Sequence, residues 1–469
     1  MTTQPNILFL FPDQHRGDWL GCRDDNPGVR TPMLDALAAR GTHFTNALTP
    51  SPLCSPARAC LAYGVRYDAQ GVRHNQHDVD VELDNGYRAL ANQGYHVLAC
   101  GKFDLLKSSM DWGVNGQHGE GSDSRLRRLG FTGGLDSAGK FDCLIAASRN
   151  LPEPYADFLR SRGLMDTHFK DFTSRRGQLA NYTNVAPTPL PDDAYCDNWI
   201  GARAETLINE VPAGEPWFLQ VNFTGPHDPL DVTESMHNWY DDVTFTLPSN
   251  NTRIKPDLHQ QMRRNYAAMI ENIDRWVDRL IDAVDARGDL DNTIIVYASD
   301  HGEELGDHDH WAKCLPTRGS THVPLIMAGP GVSHQSITTP VDLVDLHATF
   351  IDFAGAEPVA PEVGGGTSLT SCLSGEAPDW QLRGSGLGSW RMLFDGRYKY
   401  VHNHTPETST QDAVRGEFDP SVDARALLYD LHEDPGERTD LLKELPDKAD
   451  ELRTVLLDDH SRLVQHYPR

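Results

Sequence analysis

The sequence predicts an α/β fold, with a large, mostly parallel sheet flanked by helices and a smaller C-terminal α+β domain after it. Three observations lead there. Short apolar runs bounded by turn residues alternate with longer helical patterns, the mark of strand-helix-strand units. The chain has 469 residues, 39% of them hydrophobic and 23% charged, enough to bury a large core and a second, smaller one. From about Gly364 the composition shifts to Gly, Ser and Thr, and paired short strands follow. The expected division is therefore 1–363 for the sheet-bearing unit and 364–469 for the smaller one.

Four apolar runs define the sheet. Residues 6–11 (NILFLF), 96–100 (HVLAC), 217–223 (WFLQVNF) and 293–298 (TIIVYA) each run straight into a polar cluster. Those clusters are Pro12-Asp13-Gln14, Gly101-Lys102, Pro226-His227-Asp228-Pro229 and Ser299-Asp300-His301-Gly302. In open α/β sheets ligands sit beyond the carboxyl ends of the strands, so four distant segments are expected to converge on one crevice. Between the last two runs, Tyr266, Met269, Ile270, Ile273, Trp276, Val277, Leu280, Ile281 and Val284 recur at helical spacing over Pro256–Ala286. That stripe reads as core. Residues 108–193 are rich in Gly, Ser, Arg, Asp and Pro with weak periodicity, and read as an insertion near the site. In the smaller unit, residues 390–394 and 398–401 flank Asp395-Gly396 as a hairpin, and a strand at 427–431 and a helix at 446–460 complete it. No repeat or low-complexity tract is present.

Composition narrows the function. The formal charge of −26 sets a field that repels nucleic acid and anionic membrane surfaces. No apolar run approaches the roughly 18 residues that span a bilayer, and Met1-Thr2-Thr3-Gln4-Pro5 leads directly into the first strand without a signal-peptide pattern. Eight cysteines lie scattered without CxxC spacing, which points to a reducing compartment and a cytoplasmic home. The oligomeric state leaves no mark in the sequence.

The strongest local signal is Pro52-Leu53-Cys54-Ser55-Pro56-Ala57-Arg58. Ser55 and Pro56 read as an N-cap and first helical position, with Ala57 to Tyr63 as the helix. Cys54 then faces a helix N-terminus, which lowers a thiol pKa and favours anions, and Arg58 adds a positive charge one turn along. A buried structural cysteine before a capped helix is the plainer alternative.

Cys54-Ser55-Pro56-Ala57-Arg58 matches the C-x-P-x-R motif by which type I sulfatases mark a cysteine for conversion to formylglycine. The surroundings match in order as well: Thr31 to Leu37 upstream, Gly94-Tyr95 before Gly101-Lys102, and Leu428-Tyr429-Asp430-Leu431 with Asp434-Pro435-Gly436-Glu437 near the end. The chain thus resembles the formylglycine-dependent sulfatases of the alkaline-phosphatase-like superfamily over nearly its whole length. The resemblance implies hydrolysis of a sulfate monoester, small or carbohydrate, after a maturation enzyme converts Cys54. It implies metal ligation by Asp13, Gln14, Asp300, His301 and the converted Cys54, with Ca²⁺ placed first and Mg²⁺, Mn²⁺ or Zn²⁺ admitted by the histidine. Arg58, Lys102, His227 and Lys313 resemble the residues that hold the sulfate and protonate the leaving oxygen. His227 lies in a Pro-His-x-Pro frame that restrains the backbone on both sides. His308 and His310 are read at the rim, with His310 near substrate.

One departure stands out. Where most sulfatases read Gly-Lys-x-His, this chain reads Gly101-Lys102-Phe103-Asp104. Asp104 is left with three readings: a base in the histidine's place, a substrate contact, or a structural partner of Lys107. Two other functions remain beside the sulfatase: a phosphonate monoester or phosphodiester hydrolase of the same superfamily, which shares an Asp-Gln metal segment, and a silent binding protein in which Cys54 is never converted.

Overall fold

The computed structural model describes residues 4–177, 179–248, 252–359, 363–405, 410–422 and 425–467. Met1 to Thr3, part of the chain start read above, lie outside these. The four predicted runs are strands: β1 Asn6–Leu10, β3 His96–Gly101, β5 Trp217–Asn222 and β6 Thr293–Ala298. With β2 Thr42–Phe44, β4 Gly133–Asp136, β7 Leu325–Ala328 and β8 Gln335–Ile337 they form one eight-stranded sheet in the order β8-β2-β7-β6-β1-β5-β3-β4. β1 pairs in parallel with β5 and β6, and β3 with β5 and β4. β7 runs antiparallel to β6 and β2.

The reason β1 is apolar after Asn6 is visible in its packing, since all five of its residues are buried. Leu8 and Leu10 point into one core with Leu219, Val221, Ile295 and Tyr297, while Ile7 and Phe9 point into another with Val97, Phe218, Ile294 and Val296. A strand covered on both faces needs no polar alternation. Helix Pro256–Ala286 and helix Cys196–Glu210 pack together beside the first core. Helix Cys54–Tyr63 and helix Leu343–Ala354 cover the second.

Residues 108–193 do more than insert. They supply β4, the sheet's edge strand, together with short helices at Gly139–Ser148, Pro154–Ser161 and Met165–Ser174. The strand escapes a periodicity reading because it opens on Gly133-Gly134, and Gly134 has φ +85 with its α-carbon pressed against the Ala99 carbonyl, where a Cβ would collide.

The C-terminal segment holds a four-stranded antiparallel sheet, β9 Arg383–Leu387, β10 Trp390–Phe394, β11 Tyr398–His402 and β12 Ala426–Asp430. Leu393, Tyr400 and Leu428 from this sheet bury against Leu452 and Leu456 of the terminal helix Pro446–His466. That helix runs further than its expected end at 460. Among the described residues no helix is long and apolar enough to cross a membrane.

Candidate active site

Strands β6, β1, β5 and β3 are consecutive neighbours, and the loops at their carboxyl ends deliver Asp300 and His301, Asp13, His227, and Lys102 to one place. Cys54 sits at its centre. It is the first residue of the helix Cys54–Tyr63, two positions before the start expected at Pro56, with Leu53 rather than Ser55 as N-cap in an extended conformation. The exposed N–H at the helix start is taken by a side chain: Ser55 N–H donates to Asn75 Oδ1 at 3.0 Å.

The Cys54 thiol lies 3.8 Å from Asp13 Oδ1, 3.3 Å from His301 Nε2 and 3.9 Å from Lys102 Nζ. Burial and the Asp13 charge push its pKa up, but Lys102, Lys313 and His301 outweigh them and hold the thiol well below its ordinary value. Asp13, Cys54, Asp300 and His301 are all buried, and one donor atom from each lies within 4.8 Å of the others. That spread is twice a cation-oxygen distance of about 2.4 Å, so one ion reaches all four. His301 is oriented for this: its Nδ1–H donates to the Gly302 carbonyl at 3.0 Å, which leaves the Nε2 lone pair facing Asp13 and Asp300, each 3.6 Å away. The two carboxylates respond differently to crowding. Burial would raise Asp13, yet Lys102, His227 and Arg58 keep it well below the usual range, whereas burial and the neighbouring Asp13 charge raise Asp300. The donor set fits a divalent cation.

Arg58 occupies a different position from the one the motif led us to expect. Its guanidinium is 2% exposed and fully engaged, with Nε on Asp300 Oδ2 at 2.9 Å, one terminal nitrogen on Asp13 Oδ2 at 3.3 Å and the other on the Lys102 carbonyl at 2.6 Å. It clamps the two carboxylates from behind. Lys102 reaches the thiol because Gly101, at φ +101, lies so close to the Asn222 carbonyl that no side chain fits, and the backbone turns inward there. The Lys102 ammonium donates to Asp13 Oδ2 at 2.5 Å.

Gln14 is tied to a second group. Its Oε1 accepts from Lys313 Nζ at 2.5 Å, and its amide nitrogen contacts Glu303 and Asp228. Glu303 is buried, which pushes its pKa up to about 7. Lys313 also donates to His227 Nε2 at 2.6 Å, while His227 Nδ1–H donates to the Asp228 carbonyl at 2.6 Å. The His227 loop is fixed to the metal-side loop by the bond from Asp13 N–H to the Gly225 carbonyl at 3.1 Å.

Asp104 lies in the left-handed region at φ +54, and its carboxylate sits between the Lys102 and Lys107 ammoniums. It is 2% exposed and bonds Lys107 at 3.1 Å and Lys102 at 3.2 Å. Burial would raise its pKa, but the two ammoniums hold it far below the usual carboxylate range. Of the three readings, the ion pair with Lys107 is the contact present. His308 and His310 border a separate cleft with Lys399 and Tyr429, because the 307–310 turn faces the C-terminal sheet. A cavity of about 230 Å³ opens over Cys54, Lys102 and His227, and its wall includes Lys107 and three residues that sequence reading passed over: Asn75, Lys140 and Asp142. None of the three sits in a patterned segment.

A nucleophile held between a divalent-cation site and a set of ammonium groups, at the strand ends of a parallel sheet, defines a hydrolase of anionic esters. The family model described as Sulfatase matches residues 5–356, and the chain belongs to the sulfatase family. It is a sulfuric ester hydrolase. It is 24% identical over 517 residues to an arylsulfatase of Clostridium perfringens, covering 99% of this chain and 98% of the relative. Its fold is similar to that of a phosphonate monoester hydrolase of Agrobacterium radiobacter, with a TM-score of 0.75, 22% identity, and 98% and 96% of the two chains covered. It is likewise similar to a structure described in complex with its substrate D-glucosamine-2-N,6-O-disulfate, with a TM-score of 0.72, 19% identity and 99% coverage of each chain.

Proposed function

We propose that the chain hydrolyses a small or carbohydrate sulfate monoester at Cys54, once a maturation enzyme has converted that residue to formylglycine. The observation that carries the reading is the thiol's position, within 3.9 Å of Asp13, His301 and Lys102 at one mouth of the cavity. Formylglycine, when formed, supplies a geminal hydroxyl pair, one to attack sulfur and one to release sulfate. Asp13, Asp300 and His301 would hold the divalent cation that polarises this group, with Gln14 joining through its backbone N–H, which bonds Asp300 Oδ1 at 3.0 Å. Ca²⁺ remains first on the two carboxylates, and the imidazole admits Mn²⁺, Mg²⁺ or Zn²⁺. Arg58 holds those carboxylates in place. Lys102 and Lys313 neutralise the sulfate oxygens, and Lys313 with His227 forms one proton-donating unit: the Lys313 ammonium nitrogen lies 2.6 Å from Nε2 of His227, which lines the cavity where the leaving oxygen emerges.

Residues 364–469 act as a smaller unit that braces the segment carrying Lys313, with the Trp390 indole N–H donating to the Cys314 carbonyl at 3.1 Å. Eight unpaired cysteines support a reducing, cytoplasmic setting. The phosphonate monoester reading keeps one specific support, the Asp13-Gln14 segment, but Lys102 at 3.9 Å from the thiol favours sulfate, since the Gly-Lys segment is usually replaced in those relatives. The test is a panel of sulfate monoesters, phosphonate monoesters and phosphodiesters on matured enzyme. A higher kcat/KM for the phosphonate would transfer the assignment to that class.

A further inference from the structure

The cavity over Cys54, at about 230 Å³, is smaller than the roughly 300–1,000 Å³ of most small-molecule sites. Asn75 lines it, and Asn75 also lines a neighbouring cavity of about 730 Å³ that begins at Leu53, the residue before the nucleophile. The two spaces therefore meet within one residue of Cys54. Asn75 is fixed there by the Ser55 N–H, bonded to its Oδ1 at 3.0 Å, and its amide nitrogen has no partner among the described residues.

The larger cavity runs against the charge of the molecule. The chain carries −26, yet Arg73, Arg391 and Arg415 line this cavity against a single acid, Glu417. Arg391 is spoken for, because Asp68 takes its Nε and one terminal nitrogen at 2.6 and 2.5 Å. Arg73 is anchored by the Tyr67 carbonyl at 2.7 Å and lies 3.9 Å from Asp68, which leaves guanidinium N–H groups unused. Arg415 is exposed and has no ion-pair partner among the described residues. The cleft beside Lys399 shows the contrast, since Lys399 and Arg438 there face Asp309, Glu437 and Asp440. A guanidinium pair next to the nucleophile, in a surface field that repels anions, is a local attraction for a planar or tetrahedral oxyanion.

We propose that this cavity is a second anion subsite: the sulfate ester cleaved at Cys54 carries another oxyanion, a carboxylate or a second sulfate, which Arg73 and Arg415 hold while Asn75 spans the two cavities. The proposal rests on the sulfatase reading for the first group and adds the second. It also accounts for volume, since the small cavity takes the reacting sulfate and the large one the rest of a sugar-sized molecule.

The test is calorimetric binding to protein expressed without maturation, in which Cys54 stays a thiol and nothing is turned over. The probes are N-acetylglucosamine 6-sulfate, glucosamine 2-N,6-O-disulfate and a sulfated hexuronate. We expect one of the two dianions to bind at least about tenfold tighter than the monosulfate, and that advantage to fall about tenfold in Arg415→Ala and in Arg73→Gln, one charge-assisted contact each. Which dianion wins separates carboxylate from sulfate. If neither dianion outbinds the monosulfate, or if its advantage survives both substitutions, the subsite is overturned. Hydrolysis of 4-nitrophenyl sulfate by matured wild-type enzyme is measured alongside. Its absence together with an intact binding preference would remove the sulfatase reading and leave the anion subsite standing.

Discussion

Replacing Asp104 by Asn keeps the side chain's shape and removes one buried negative charge from between two ammoniums, at 3.2 Å from Lys102 and 3.1 Å from Lys107. Breaking a buried ion pair costs about 3–5 kcal/mol when the partner is left alone. Here neither partner is, because Lys102 keeps Asp13 at 2.5 Å and Lys107 keeps Asp142 at 3.2 Å. We therefore expect a loss of about 2–3 kcal/mol, which over a chain of this length lowers Tm by about 2–3 °C from an unfolding entropy near 2.1 cal/mol/K per residue. The pH dependence follows from the direction of the shift. The carboxyl is held low in the folded state, so its stabilising contribution is complete above the unfolded value of about 3.9 and is lost as pH falls through the folded value. The gap in urea midpoint between wild type and Asp104→Asn should thus be constant near neutrality and close below about pH 4. In activity, the same change should lower kcat through a misplaced Lys102 while time courses stay linear from the first turnover. A pre-steady-state burst of alcohol release followed by a stall, at unchanged affinity, would refute this reasoning and make Asp104 the base that releases sulfate.

Cys54→Ala should abolish turnover while leaving the circular dichroism of the wild type, and the Cys54 peptide from coexpression with a maturation system should show sulfur replaced by an aldehyde oxygen in mass spectrometry. Asp13→Asn and Asp300→Asn should each lose metal on gentle dialysis, measured by plasma emission, because a hard-cation site loses a ligand charge; full metal content in both would remove them as ligands. His227→Gln should cut kcat by about 10²–10⁴ for an alkyl sulfate but far less for 4-nitrophenyl sulfate, whose leaving group needs no proton. Equal losses on the two esters would contradict its place in the proton-donating unit.

What the sequence made legible was the sheet's centre and the motif-bearing loops. β1, β3, β5 and β6 are mostly apolar because both faces are covered, and their polar exits are therefore conspicuous. β4 was hidden because an edge strand that begins on two glycines carries no side-chain pattern. Asp13, Lys102, Asp300 and His301 come together, as their positions at strand ends implied, around Cys54 at a helix start. Direction was harder to read than position. The motif names Arg58 but says nothing of the Asp13 and Asp300 carboxylates that take two of its donors, and the pairing of Asp104 with Lys102 and Lys107 depends on a left-handed backbone that no motif marks. His310 sits three residues before Lys313 in sequence and lines another cleft in space, beside Lys399 and Tyr429.

The ion pairs around the nucleophile form one alternating chain: Asp142, Lys107, Asp104, Lys102, Asp13, Arg58, Asp300. Every neighbouring pair lies within 3.3 Å, so the seven groups cannot move or titrate independently. Their sum is one negative charge, four carboxylates against three cations, and the converted Cys54 adds none. A chain with that sum, in a protein of charge −26, does not attract a sulfate ester. A divalent cation held by Asp13, Asp300 and His301 would turn the sum to one positive charge, which a monoanionic ester then cancels. On this arithmetic Lys107, three residues after Asp104 and marked by no motif, offsets the acid that stands where the family's histidine is usual: without its ammonium the remaining six groups would sum to two negative charges. Lys313, outside this chain of ion pairs and 2.6 Å from His227, adds a further cation on the cavity side.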